Sequence, residues 1–176
     1  SVGRLDLNSE GLLLLTNDGE LKRKLELPTT GWLRRYRVRA HGRPNEKMLA
    51  PLKRGITVDG ERFKPMQVEI ERQQGANVWL TIGLREGKNR EIRRALESLG
   101  MTVSRLIRLS YGPFQLGDMK EGAVEEIKGK ILRDQLGGLL PGASAPKEPK
   151  GEAQKTRQKP GAAKPRPRSG GPGKSQ

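Results

Sequence analysis

Two stretches of the chain place ionisable groups where they could do chemistry. The first is Gly3-Arg4-Leu5-Asp6, which sets a carboxylate beside a cation and runs through Ser9-Glu10-Gly11 into Leu12-Leu13-Leu14-Leu15. That leucine run, closed by Thr16-Asn17-Asp18-Gly19, reads either as a short strand buried on both faces or as a buried helix start, followed by a turn. Both readings anchor the preceding loop to the core and leave Asp6 on a surface loop held by a rigid element, where chemistry is commonly carried. The plainer alternative is an Asp6 that caps a turn and pairs with Arg4. The second stretch is Glu86-Gly87-Lys88-Asn89-Arg90-Glu91-Ile92-Arg93-Arg94, a glycine turn opening a helix with four cations in seven residues. Free amides at a helix start favour anions, so this is a phosphate-binding geometry, with a solvated basic helix face as the alternative.

The elements that must position these groups follow from periodicity. Asp18 can cap a helix over Glu20–Leu25 that Pro28 stops. Tyr36-Arg37-Val38-Arg39-Ala40 alternates apolar with basic residues, the signature of a half-buried strand with a cationic outer face. Asn45 can cap a helix from Glu46 to Arg54, with Met48, Leu49 and Leu52 on one side and Gly55 ending it. Met66, Val68 and Ile70, then Val78, Leu80, Ile82 and Leu84, alternate on either side of a Gln74-Gly75 turn, which makes an antiparallel pair. A helix over Arg90–Leu99 buries Ile92, Ala95, Leu96 and Leu99 and leaves Arg90, Arg93 and Arg94 off that face. Met101 and Val103, then Leu106, Ile107 and Leu109, form further short strands, and Ile127–Leu136 closes the domain as a helix that Gly129 weakens. These segments predict an α+β domain, a mostly antiparallel sheet with flanking helices, over residues 1–140.

Composition sets the partner class. Residues 141–176 contain no Leu, Ile, Val, Met or aromatic residue, so nothing there offsets the entropy of folding, and a disordered tail is expected. The tail carries nine Lys and Arg against two Glu, a net of +7, which leaves +8 of the chain's +15 on residues 1–140. Two cationic parts imply a polyanionic partner, and nucleic acid fits better than membrane: no stretch can span a bilayer, and the tail lacks an apolar face. With no Cys and the single His41, disulfide frameworks, thiolate nucleophiles and His-rich metal sites are largely excluded. No secretory signal is read, and a cytoplasmic address is expected.

In order and spacing, Gly-Arg-Leu-Asp followed by Glu-Gly-Leu-Leu-Leu-Leu-Thr-Asn-Asp-Gly, Tyr36 in a basic strand, Glu-Gly-Lys-Asn-Arg-Glu-Ile-Arg-Arg, and Leu106-Ile107-Arg108 through Gly112-Pro113 together resemble the RsuA/RluB-type rRNA pseudouridine synthases. The resemblance covers about residues 2–136. It implies isomerisation of uridine to pseudouridine in rRNA, with cleavage of the N-glycosidic bond and rejoining of base C5 to the sugar, without cofactor or metal. On it, Asp6 matches the family's catalytic aspartate, which either attacks the sugar C1′ or removes its 2′ proton. Tyr36 matches the active-site tyrosine, packing on the displaced base and assisting proton transfer at C5. Arg93 matches the basic residue that pairs with the aspartate and keeps it ionised. Arg4, Arg35, Arg37, Lys88, Asn89, Arg90 and Arg94 are then RNA contacts, and the target base must leave its helix or loop to be reached.

The pattern departs from the family in places. The small RNA-binding domain and the Lys-Pro strand that such enzymes carry ahead of this loop are not in the sequence, so the chain reads as an N-terminally truncated piece of a longer synthase. Ser9 stands where Thr is common and keeps the hydroxyl. The Val103–Arg108 segment and the basic tail resemble the large-subunit, RluB-like members, which makes large-subunit rRNA the expected partner of a monomer. Two other readings remain, a noncatalytic rRNA-binding or ribosome-assembly module with the same fold, and a ribosomal protein with a basic tail.

Overall fold

The alternation around Tyr36 builds the centre of the main sheet, because every second residue there is sealed from water: Val38 and Ala40 are fully buried while their neighbours stay partly accessible. The structure, a computed structural model, describes residues 1–137. The tail expected to be disordered, 141–176, lies outside the described residues. In chain order, strand β1 (Glu10–Gly11) follows the Asp6 loop; then come helix α1 (Gly19–Glu26), a 3-10 turn (Pro28–Thr30) and strand β2 (Arg34–His41). Helix α2 (Glu46–Arg54) leads through a small ribbon, β3 (Thr57–Val58) and β4 (Glu61–Arg62), into the hairpin β5 (Gln67–Gln74) and β6 (Asn77–Leu84). Helix α3 (Glu91–Glu97), strands β7 (Thr102–Tyr111) and β8 (Phe114–Gln115), and helix α4 (Gly129–Leu136) complete the order.

The sheet runs β1-β7-β2-β6-β5, with β8 folded back on β7, and it is antiparallel throughout except where β1 pairs with β7 in parallel. The α+β class and the mostly antiparallel sheet read from sequence are therefore the observed ones. One apolar cluster joins the sheet face of Val38, Leu80 and Leu106 to Leu49 and Leu52 of α2 and to Ile92, Ala95 and Leu96 of α3. A second cluster gathers Val2, Leu12, Leu14, Leu21, Leu25 and Tyr111 around α1. The cap residues act as their chemistry requires: the Asp18 carboxylate accepts from the Glu20 and Leu21 amides, and the Asn45 side chain accepts from Met48.

The structure corrects four expectations. The leucine run is neither buried on both faces nor helical. Leu12 and Leu14 are buried, whereas Leu13 and Leu15 are exposed, because the segment runs on from β1 in extended form, with the Leu12 amide bonded to Arg108 of β7 and Leu14 bridged to Val2. Residues 102–111 form one ten-residue strand rather than two short ones. Helix α3 starts at Glu91, since Arg90 adopts a left-handed conformation (φ 49°) that ends the preceding turn. Gly129 opens α4 instead of interrupting it.

Candidate active site

Asp6 lies on a loop pinned at several points along its length. The Val2 amide donates to the Leu14 carbonyl at 2.9 Å, and the Gly3 amide donates to Glu26 of α1 at 2.7 Å. A turn closes behind Asp6 where the Ser9 amide donates to its carbonyl at 3.0 Å, and Asn8 takes φ 63° to make that turn. The chain then joins β7 at Glu10 and Gly11. Gly11 (φ 101°) is required there: a Cβ would lie 2.3 Å from the Arg108 carbonyl oxygen.

A cavity of about 350 Å³ opens beside this loop, large enough for one nucleoside, and Asp6, Tyr36, Arg93, Arg108, Glu91 and Lys88 are among its walls. Tyr36 comes from β2, on the same face as Val38 and Ala40. It reaches the cavity because the sheet's apolar side turns polar at this end. Directly across the β2–β7 pairing stands Arg108, and the register slips between Arg35 and Tyr36, a bulge of the kind that re-aims side chains. Burial pushes the Tyr36 phenol above its ordinary range; the Arg108 and Arg34 cations pull it back and Asp6 pushes it further up.

Arg93 projects from α3 and is 94% buried, although it lies off the helix face that carries Ile92 and Leu96. Its guanidinium donates to the carbonyls of Asn8 (2.7 Å) and Val103 (3.1 Å). The direct ion pair with Asp6 expected from sequence is not formed within 4.0 Å; the two groups line one cavity, and the guanidinium instead grips the backbone two residues past the carboxylate. Burial, reinforced by Arg90, pulls Arg93 below the usual guanidinium range, and Asp6 acts in the opposite direction.

Of the residues expected to meet RNA, Arg4, Lys88, Asn89 and Arg90 line the cavity. Arg35, Arg37 and Arg94 do not. Arg35 is exposed on the opposite side of β2 from Tyr36. Arg37 is paired with Glu71 (2.9 Å) and stacked over Trp79, and Arg94 is held by Glu61 (2.6 Å) above the Phe63 ring. Among the described residues no cluster of His, Cys, Asp and Glu is spaced to hold a metal ion, and no helix is long and apolar enough to cross a membrane.

Sequence reasoning missed Glu91 and Arg108. Glu91 is 97% buried at the start of α3, where burial first, and the Glu86 carboxyl after it, push its carboxyl up to about 7 against the hydrogen bond from the Lys88 amide. Arg108 is 98% buried and hides in the apolar run Leu106-Ile107-Leu109, where only the β2 register reveals it. Among the described residues, four buried side-chain atoms have no hydrogen-bond partner: Ser9 Oγ, Glu91 Oε1, Arg93 Nε and Arg108 Nη2. All four residues line this cavity. Buried polar atoms are ordinarily satisfied, so their convergence marks a place built to receive a polar ligand.

A family model described as RNA pseudouridylate synthase matches residues 1–98. An uncharacterized RNA pseudouridine synthase of Rickettsia prowazekii (strain Madrid E) is 47% identical over 136 residues, which cover 77% of this chain and 57% of that protein. The ribosomal large subunit pseudouridine synthase B of Haemophilus influenzae is 39% identical over 143 residues, covering 78% of this chain and 40% of the relative. A crystal structure of a pseudouridylate synthase superposes with a TM-score of 0.56 at 32% identity, over 65% of this chain and 49% of that one. The chain thus spans less than six-tenths of the length of these relatives.

Proposed function

The chain belongs to the RNA pseudouridylate synthase family, and on that premise we propose that its cavity receives a flipped-out uridine of large-subunit rRNA and isomerises it to pseudouridine. Asp6 acts at the sugar. The bond from C1′ to N1 breaks, the uracil turns within the cavity, C5 joins C1′, and the proton displaced from C5 is balanced by the proton that N1 takes up. Tyr36, half-buried and held protonated, packs on the turning base and serves the proton transfer at C5. Arg93 fixes the loop that aims the carboxylate. Lys88, Asn89, Arg90 and Arg4 at the rim neutralise the phosphates flanking the target, the sequence-independent part of affinity.

The single observation that carries this reading is the convergence of the Asp6 carboxylate, the half-buried Tyr36 and the buried guanidiniums of Arg93 and Arg108 on a cavity of nucleoside size with a cationic rim. A flipped base needs such a pocket because the sugar carbon under attack is inaccessible in a stacked strand. The large-subunit substrate is favoured by the likeness to relatives named ribosomal large subunit pseudouridine synthase B, at 39% and 42% identity. We place the protein in the cytoplasm as a monomer, where rRNA is its substrate.

The test is tritium release from rRNA labelled at uridine C5, comparing the full-length protein with its Asp6→Asn variant. Release by the former alone, with rRNA bound by both, is the expected outcome. Binding without release by either protein would identify an rRNA-binding module that performs no chemistry.

A further inference from the structure

Arg108 is a cation with almost no contact with water, and among the described residues no carboxylate lies within ion-pair distance of it. Strand β7 presents it on the same face as Leu106, so an apolar side chain would complete the core there at lower cost than a buried charge. Its contacts account for its presence. Nε donates to the Leu12 carbonyl at 2.8 Å and Nη1 to the Arg4 carbonyl at 3.4 Å, one on either side of Asp6 in the chain. Across the sheet its register partner is Tyr36, and Nη2 remains buried with no partner. The guanidinium lies 5.3 Å from the centre of the Tyr111 ring, which fixes its plane.

We propose that Arg108 is a positioning residue for the isomerisation: one guanidinium spans the Asp6 loop through the Arg4 and Leu12 carbonyls and turns its remaining N–H group to the Tyr36 hydroxyl. The acid and the phenol, which come from separate elements, are thereby set in register by a single planar fork. This proposal rests on the pseudouridine synthase reading. The charged groups that act on Tyr36 are Arg108 from β7, Arg34 from β2 itself and Asp6 from the loop. Removing Arg108 therefore takes away the principal cation that opposes the upward push of burial on Tyr36.

The experiment uses the full-length protein with Arg108→Gln and Arg108→Lys. In Arg108→Gln the single-turnover rate should fall about 100-fold while rRNA affinity changes by less than about threefold, because misaligned groups lose rate rather than binding. In the same variant without RNA, the Tyr36 titration, followed by NMR of ring-labelled tyrosine and assigned with Tyr36→Phe, should move to higher pH. Arg108→Lys keeps the charge but serves one carbonyl at a time, so it should hold the wild-type titration and lose rate only about tenfold. A wild-type rate in a folded Arg108→Gln protein overturns the proposal, as does a rate loss matched by lost affinity with the Tyr36 titration unmoved, which would make Arg108 a plain RNA contact. Should the Gln variant fail to fold, a wild-type rate in Arg108→Lys gives the same refutation. Failure of tritium release by the unaltered protein sinks the isomerase reading instead, and the RNA-free titration still decides whether Arg108 governs Tyr36.

Discussion

Arg93 Nη2 donates to the carbonyl of Asn8 at 2.7 Å, two residues past Asp6. Helix α3 thus commands the carboxylate by gripping its backbone, while Nη1 ties the same side chain to Val103 of β7. Replacing Arg93 by Met keeps the volume and strands two carbonyls. We expect a loss of about 2–4 kcal/mol of stability, measured as a lower urea midpoint at unchanged slope, and a single-turnover rate reduced at least about 100-fold. A variant with normal stability and impaired rate would instead point to direct contact with the substrate.

Glu91 gives stability a pH dependence of defined sign. Its folded value, pushed up to about 7 by burial, lies above the ordinary 4.5, so between these values the native state holds a proton that the unfolded chain has released. The contribution is full below about pH 4.5 and is lost as pH rises through about 7. Glu91→Gln mimics the protonated form, keeps an oxygen for the Lys88 amide, and should be the more stable protein at pH 8, by on the order of 1 kcal/mol. Urea midpoints at pH 5 and pH 8 check this: the wild type should lose stability relative to the variant on going up, and parallel behaviour would contradict it.

Gly11 sits against the β7 backbone at its register partner Arg108. Gly11→Ala sets a Cβ 2.3 Å from the Arg108 carbonyl oxygen at φ 101°, so the strands must part. A cost of at least about 3 kcal/mol is expected. Catalysis should suffer more than in Val78→Ala, a core truncation remote from the Asp6 loop, once the two variants are compared at equal fractions folded. Equal specific activities of the folded fractions would disprove a positional effect.

Arg90 combines two separable properties, a left-handed backbone (φ 49°) and a cation at the cavity rim. Arg90→Gly relieves the first and removes the second. Stability should hold or rise by up to about 1 kcal/mol. Binding of rRNA should weaken, with the slope of log affinity against log salt shallower by about one. An unchanged salt slope would show that Arg90 does not touch phosphate.

Periodicity made the helices capped by Asp18 and Asn45 and the β5–β6 hairpin legible, because each is governed by neighbours in sequence. Leu12 to Leu15 misled because four leucines look alike, while the tertiary contacts of Leu12 with Arg108 and of Leu14 with Val2 decide which two are buried. Tyr36 and Arg93 were found through a family likeness. What Arg93 holds was not readable, since its acceptors are carbonyls, which every residue possesses. Arg108 was hidden for the same reason: its partners, Leu12, Arg4 and Tyr36, lie 72 to 104 positions away and meet it only across the sheet.

The parallel pairing of β1 with β7 brings position 10 against position 107. Contacts of such separation close late in folding, after the entropy of the intervening loop has been overcome by local structure. The hairpin and the basic helix start can organise from short stretches of chain, whereas the acidic loop finds its place only when the two distant strands meet. The seat of Asp6 is thus the part of the fold that depends most on distant chain meeting distant chain, and the basic helix start the part that depends on it least.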